Sequence, residues 1–438
     1  MKLTDAYAAA SVCTPTRVAL ITGRTPAETH ITNWTEPKDR DNSGLKPMLP
    51  PDWNLNGLSP TPGIPHTFTG PMLPAILRDA GYKTIHVGKA HWGASGTPGA
   101  DPRNLGFDVN IGGSHTGEPG SYWGSRNYGS PAKVNDVPHL EGYHGTDTFL
   151  TEALTIEANK AVGQAVAEGR PFFLHLAHYA PHYPWQMDTR FTQRYADAGL
   201  KGLDGTYAAL IEGLDKSLGD VLQNLEEHGV AGNTIIIFSS DNGGENRPPA
   251  TTVDENAPLR ATKGTPYEGG VRVPMVVRWP GRIAAGSTSS GPVITDDLFP
   301  TLLRIKGVKQ RQQYVRGIRG RDLLAEFSGS DSSLSDRTLY WHRPNSHGRT
   351  PTPEFEPFSA VRAGEWKLIF FYPGRRYELY NLQKDLGETQ NVLAQNPTVA
   401  AKLSRTLNET LRRAHAQTPV DPITKVAVGL PPVLASSR

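Results

Sequence analysis

The sequence predicts an α/β fold: a mixed, largely parallel sheet sandwiched by helices, with a small C-terminal antiparallel α+β subdomain. Three observations predict it. Short apolar runs alternate with long helical patterns up to about residue 325, the order that builds a sheet covered on both faces. Polar loops follow most of those runs, and open α/β sheets place their ligands at such loops. Beyond residue 325 four strand-like runs precede a single helix, the order of an antiparallel α+β unit.

The helices come first. Residues 14–22 open with Pro15 and continue Thr-Arg-Val-Ala-Leu-Ile, a good start signal. Residues 148–168 are alanine-rich and long. Residues 206–228 space Leu210, Leu214, Leu218, Val221 and Leu225 three and four apart, an amphipathic stripe that reads as core. Buried strands are expected at 83–87, 172–177, 234–239 and 271–279. A serine-rich linker, 327–336, ends the large domain (1–326). The subdomain (327–417) carries strand-like runs at 338–342, 358–362, 366–372 and 377–381 and a helix at 397–416. Residues 418–438 hold four prolines and read as an extended tail.

Composition narrows the function. The 438 residues are 37% hydrophobic and 20% charged, enough for a sizeable core. Forty-five Lys+Arg against 43 Asp+Glu leave a net charge of +2, which argues against general nucleic-acid affinity and a polybasic membrane anchor. No apolar run reaches the ~20 residues of a membrane span. One cysteine excludes an internal disulfide framework and any multi-cysteine metal site. Forty-five glycines and 37 prolines imply many long loops on a rigid scaffold. The N-terminus Met1-Lys2-Leu3-Thr4 has one basic residue and no signal-peptide apolar stretch after it.

The chemistry-bearing residues fall in five segments. Cys13-Thr14-Pro15-Thr16-Arg17 puts the cysteine at a helix start, where free N–H groups and the helix dipole favour an anion, with Arg17 one turn on. A lone buried cysteine fits that string equally well. Lys89 and His91 end the strand-like string from Gly81 to Gly93. His182 lies in Ala180-Pro181-His182-Tyr183-Pro184-Trp185, and Asp241-Asn242 in Ser239-Ser240-Asp241-Asn242-Gly243-Gly244. Lys263 lies in the glycine-rich run from Ala257 to Pro274. Each of the last three alone also reads as an ordinary loop or turn. His175 and His178 read as packing or pocket-wall residues.

Together these ordered segments resemble the type I sulfatases of the alkaline-phosphatase superfamily. The resemblance runs from Ala6-Tyr7-Ala8 through Asp297-Leu298-Phe299-Pro300 and Trp366-Lys367-Leu368-Ile369 to Gly387-Glu388-Thr389. It implies hydrolysis of sulfate monoesters, with a sulfated carbohydrate as the expected substrate. It further implies that Cys13 is oxidised by a formylglycine-generating maturation enzyme, and that the hydrated aldehyde is the nucleophile. Arg17 matches the residue that positions the hydrate; Lys89 and His91 match those contacting sulfate and hydrate. His182 and Lys263 match those holding the ester and aiding the leaving oxygen. Asp241 and Asn242, with modified Cys13, match ligands of a calcium ion. Cationic groups and a hard metal suit a sulfate ester, because charge builds on the bridging oxygen as the S–O bond breaks. The loop His342-Arg343-Pro344-Asn345-Ser346-His347-Gly348-Arg349 is rich in donors; His342 and Arg343 are candidate substrate contacts, against an ordinary polar loop. Two other readings stay open: an inactive glycan-binding relative, and a phosphonate or phosphate ester hydrolase of the same superfamily.

The family pattern also has a break. Its members normally begin with a buried strand ending in two adjacent aspartates, further metal ligands by resemblance, well before the cysteine. Asp5 sits at a different landmark, and Asp296-Asp297 falls too late in the chain. The expectation is a sulfatase lacking that strand and half of its metal ligands, with neighbouring ladder hydrogen bonds left unpaired. A signal peptide would lie in the same region, so the family implies a periplasmic or extracellular full-length form.

Overall fold

The apolar runs pair into two separate sheets, and the loops that carry the polar motifs leave from their ends. The structure is a computed structural model that describes residues 1–41, 47–245, 251, 254–306, 308, 311–329, 334–347 and 352–435. Part of the expected serine-rich linker (330–333) and Gly348 and Arg349 of the donor-rich loop lie outside the described residues.

In chain order the elements that build the site are β1 (Lys2–Leu3), α1 (Cys13–Thr22), β2 (Lys83–Gly88), β3 (Val109–Ile111), α2 (Leu150–Ala167), β4 (Phe172–Ala177), α3 (Gly202–Glu227), β5 (Ile236–Ser239), β6 (Met275–Arg278) and β7 (Thr288–Ser289). One sheet has the order β3-β2-β4 and is all parallel, with Lys83 opposite Phe172 and Ile85 opposite Val109. The other has the order β7-β1-β6-β5 and is mixed: β1 runs parallel to β7 and antiparallel to β6, which is antiparallel to β5. β4 and β5 are thus each an edge strand. Both line one cavity of about 1390 Å³, walled also by Leu214, Leu218 and Val221 of α3 and floored by Arg17. Apolar side chains on its walls stay open to solvent, Phe238 at 39% and Ile211 at 46%.

Helix α1 owes its start to extended Val12, which gives no side-chain cap, and its end to Gly23. Gly23 has φ 65°, its N–H closes on the Ala19 carbonyl at 2.9 Å, and a Cβ there would stand 2.7 Å from the Phe299 ring. Helices α2 and α3 pack together over β4, pinned by Thr155 Oγ1 donating to Ser217 Oγ at 2.6 Å. The strand expected from residue 271 begins only at Met275. Glu268–Val271 instead form a helical turn, because Gly269 and Gly270 are pressed against backbone and Pro274 brings no N–H to a ladder.

The C-terminal part is the four-stranded antiparallel sheet β8 (Thr338–Arg343), β9 (Phe358–Ala363), β10 (Trp366–Phe371) and β11 (Arg376–Asn381), followed by α4 (Pro397–Arg413). One face takes Leu403, Leu407 and Leu411 of α4. The other face shares a core with the first sheets' loops, Trp341, Phe358 and Ile369 packing with Tyr7, Tyr267 and Val271. Inside that seam Lys367 Nζ lies 2.8 Å from Glu268 and 3.0 Å from Glu388, all three side chains fully buried. The extended tail is tied down: Tyr377 donates to the Pro432 carbonyl at 2.6 Å and Asn408 to that of Pro431 at 2.8 Å.

Candidate active site

Cys13 is the first residue of α1, where the backbone N–H groups of the first turn have no partner within the helix, and its thiol is buried. The loop before it is fixed by Thr16 Oγ1, which accepts from the Ala10 N–H at 3.0 Å. Lys89 and His91 follow β2. Gly88 makes that possible: at φ 98° its missing Cβ would fall 2.0 Å from the Ala177 carbonyl, while the Lys89 N–H continues the ladder to that same oxygen at 2.7 Å. His91 itself has φ 55°, a left-handed conformation costly for a histidine, held by its N–H to the Ser114 carbonyl at 3.0 Å.

Arg17 ties three segments together. Its Nε meets Asp241 Oδ2 at 2.7 Å, its Nη1 donates to the Lys89 carbonyl at 2.6 Å, and its own carbonyl accepts from Trp92 Nε1 at 3.1 Å. Lys263 enters through its backbone, which donates to the Gly244 carbonyl at 2.8 Å, and the next N–H, of Gly264, donates to the Ser11 carbonyl at 2.7 Å. Its Nζ reaches His182 Nε2 at 2.8 Å. His182 Nδ1 contacts the Tyr183 carbonyl at 3.1 Å, so the network assigns its proton to Nδ1 and leaves Nε2 to accept. His91 Nε2 sits 3.0 Å from the Thr35 carbonyl, which assigns its proton to Nε2 and leaves the buried Nδ1 as the side of the ring that can face Cys13.

The electrostatics converge on the thiol. Burial pushes the Cys13 pKa up, but Lys263, Lys89, and hydrogen bonding with His182 and His91 outweigh it and hold the thiol well below its ordinary value. Burial likewise lowers Lys89 despite Cys13 and Asp241. Lys263 is raised: burial works against its charge, yet Cys13, Glu245 and Asp241 overcome it. The structure therefore brings Cys13, Arg17, Lys89, His91, His182, Lys263 and Asp241 together, and Asn242 lines the same cavity mouth.

His342 is not brought there. Both of its ring nitrogens are engaged, with Ser359 Oγ at 2.8 Å and the Gln417 carbonyl at 2.7 Å, and burial pushes its pKa down to about 4. Arg343 lies behind His347, whose buried ring does sense Lys263 and Cys13. Glu245 was not singled out by sequence. It stands 3.8 Å from Lys263 Nζ and 3.9 Å from His182 Nε2, and its only signal is its position directly after Gly243-Gly244. Asp5 and Asp297 are spent elsewhere, on Arg272 and Arg362 and on Arg337 respectively. His175 Nδ1 pairs with His86 Nδ1 at 3.0 Å beneath the site, and burial takes it to about 3.

For a metal, Asn242 Oδ1 fits: it is a buried oxygen without a partner, beside the Asp241 carboxylate. Oxygen donors of this kind suit a hard cation. Among the described residues no group of three or more His, Cys, Asp or Glu side chains converges there, so these two oxygens make only part of a six-to-eight-oxygen shell.

Residues 1–308 match the family model described as Sulfatase, and residues 262–417 match the one described as N-sulphoglucosamine sulphohydrolase, C-terminal. The chain is 28% identical over 462 residues to a protein of Formosa agariphila named Sulfatase, covering 93% of this chain and 80% of that one. It is 29% identical over 402 residues to N-acetylgalactosamine-6-sulfatase of Mus musculus, covering 88% and 68%. Its fold matches the crystal structure of Ps i-CgsB in complex with k-i-k-neocarrahexaose at a TM-score of 0.73 and 26% identity, over 94% of this chain and 85% of that one.

Proposed function

The chain belongs to the sulfatase family and is a sulfuric ester hydrolase; from that premise we propose that it removes sulfate from a sulfated carbohydrate through an oxidised Cys13. The observation that carries the reading is the ring of Lys89, His91, His182 and Lys263 around one thiol at a helix start. Oxidation of Cys13 to formylglycine by a maturation enzyme would supply, once hydrated, an attacking hydroxyl and a second hydroxyl that expels sulfate.

The chain's own residues account for the rest. Lys89 and Lys263 oppose the charge of the sulfate oxygens from buried positions, where such interactions are strong. Lys263 Nζ donates to His182 Nε2 at 2.8 Å, and this pair is placed to protonate the departing oxygen. His91 Nδ1, on the Cys13 side of a ring held by Thr35, is the acceptor that takes a proton from the hydroxyl side. Arg17 orients the helix start through Lys89 and Asp241. Calcium, where bound, would add a hard positive charge against the sulfate oxygens, held by Asp241, Asn242 and the modified Cys13.

The names of the mouse relative and of the oligosaccharide in the solved neighbour support a sulfated galactose-type sugar. Such glycans are met outside the cell or in the periplasm, and we place the enzyme there. Among the described residues no helix is long and apolar enough to cross a membrane. The test is sulfate release, read by ion chromatography, from sulfated galactosamine, glucosamine and carrageenan oligosaccharides by the matured protein. Release from none of them, nor from 4-nitrophenyl sulfate, overturns the proposal.

The metal reading gives its own prediction. Removing the orphan oxygen by Asn242→Ala is expected to weaken calcium binding, measured by calorimetry, roughly 10- to 100-fold. Unchanged affinity would mean that other oxygens hold the ion.

A further inference from the structure

The buried His91 ring is held at one nitrogen by the Thr35 carbonyl, 3.0 Å from Nε2. Thr35 is itself tied to the start of α1, its N–H donating to Thr14 Oγ1 at 3.3 Å. A second restraint comes from a residue without a side chain. A Cβ on Gly117 would stand 2.5 Å from His91 Cε1, 2.9 Å from Nδ1 and 3.0 Å from Nε2, its three nearest atoms beyond its chain neighbours. The backbone gives no reason of its own for glycine there, since the φ of Gly117 lies outside the left-handed region.

The segment that carries Gly117 is anchored on both sides of it. The Ser114 carbonyl accepts the His91 N–H at 3.0 Å, and Ser114 Oγ accepts the Thr116 N–H at 3.1 Å. Past Gly117, Glu118 Oε1 accepts from Asn135 Nδ2 at 3.2 Å, and the Asn135 carbonyl accepts the Gly120 N–H at 2.7 Å. The ring, by contrast, turns about its own side-chain bonds. A methyl at position 117 therefore displaces the ring, by about 1 Å to restore van der Waals contact. That shift loosens the bond to Thr35 and carries Nδ1 off Cys13.

We propose that Gly117 is a positioning residue, whose missing side chain seats the His91 ring with Nδ1 towards Cys13. What His91 does rests on the sulfatase reading above; how Gly117 seats it does not. A proton acceptor misplaced by about 1 Å costs roughly 100-fold in rate.

The test is Gly117→Ala. In the matured protein, kcat for 4-nitrophenyl sulfate should fall roughly 100-fold with KM little changed, the pattern of an interaction made only in the transition state. The same substitution in a His91→Ala background should cost nothing further, because the atoms it meets are gone. A second readout needs no turnover. In the unmatured chain the His91 Nε2–H, shielded by Thr35, should give a slowly exchanging imidazole resonance in nitrogen-edited NMR, and Gly117→Ala should abolish that protection. An unchanged kcat or an unchanged resonance overturns the proposal, and so does an equal loss of kcat with His91 absent. Should Gly117→Ala unfold, a melting temperature restored by His91→Ala supports the contact, and unfolding in both backgrounds refutes it. Should the matured native chain hydrolyse no sulfate ester, the sulfatase reading fails by itself, and the resonance decides Gly117.

Discussion

Cys13→Ala is expected to reduce sulfate-ester turnover by at least about ten-thousand-fold while leaving the fold intact. The loss is large because every proposed step uses the atom that residue supplies, and removing the nucleophile of such a unit costs nearly the whole of catalysis. The fold should survive because alanine is the best helix former and other residues fix the helix. Helix α1 is held by Thr16, Arg17 and Gly23. A melting temperature close to that of the native chain checks the second half. Mass spectrometry of the tryptic peptide spanning residues 3–17 checks the first: active protein should carry an aldehyde in place of the thiol. An active preparation containing only unmodified cysteine would refute the assignment.

Lys367→Met is expected to cost about 3–5 kcal/mol of stability, because it leaves Glu388 buried without its cation and Glu268 with Arg272 alone as its ion-pair partner. The site is finely set. Burial works against Glu268 ionising, but Lys367 and Tyr7 keep its carboxyl below the usual range. Burial pushes Glu388 up to about 7 despite the same lysine. A carboxyl raised in the folded state stabilises at low pH and loses that contribution as pH climbs from its unfolded value of about 4.3 through 7. Without Lys367 both carboxyls rise further, so the destabilisation should be greater at pH 8 than at pH 5. Thermal or urea denaturation at the two pH values measures this. An equal loss at both would reduce Lys367 to a packing residue.

The reach of the sequence differed between segments for definite reasons. The run 172–177 matched β4 residue for residue, since a six-residue apolar run between turns has few other solutions. The run from 271 misled because Val271 and Val273 look like strand residues, while Gly269 and Gly270 serve close backbone packing that no hydropathy pattern shows. In the candidate site, Cys13 and Arg17 were legible as one helix face. His342 and His347 were not separable by sequence, as both are histidines in one donor-rich loop. Register decided it: His342 lies within β8 and bonds to Ser359 on its neighbour, whereas His347 lies past the strand end, against Gly264.

The sequence by itself determined the order of motifs and the helix start that bears Cys13, while the side chains expected to oppose a sulfate came from the resemblance that those ordered motifs carry. The first two follow from covalent spacing and residue chemistry, which need no knowledge of distant contacts. Only the tertiary structure decided that Arg17 is bound to Asp241, 224 positions away, that Lys263 Nζ donates to His182 Nε2, and that Arg343 is buried with no counter-anion among the described residues. Local spacing sets which way a side chain leaves its element. What it meets there depends on how the sheets and the C-terminal subdomain pack, and burial then fixes whether its charge is paired or free.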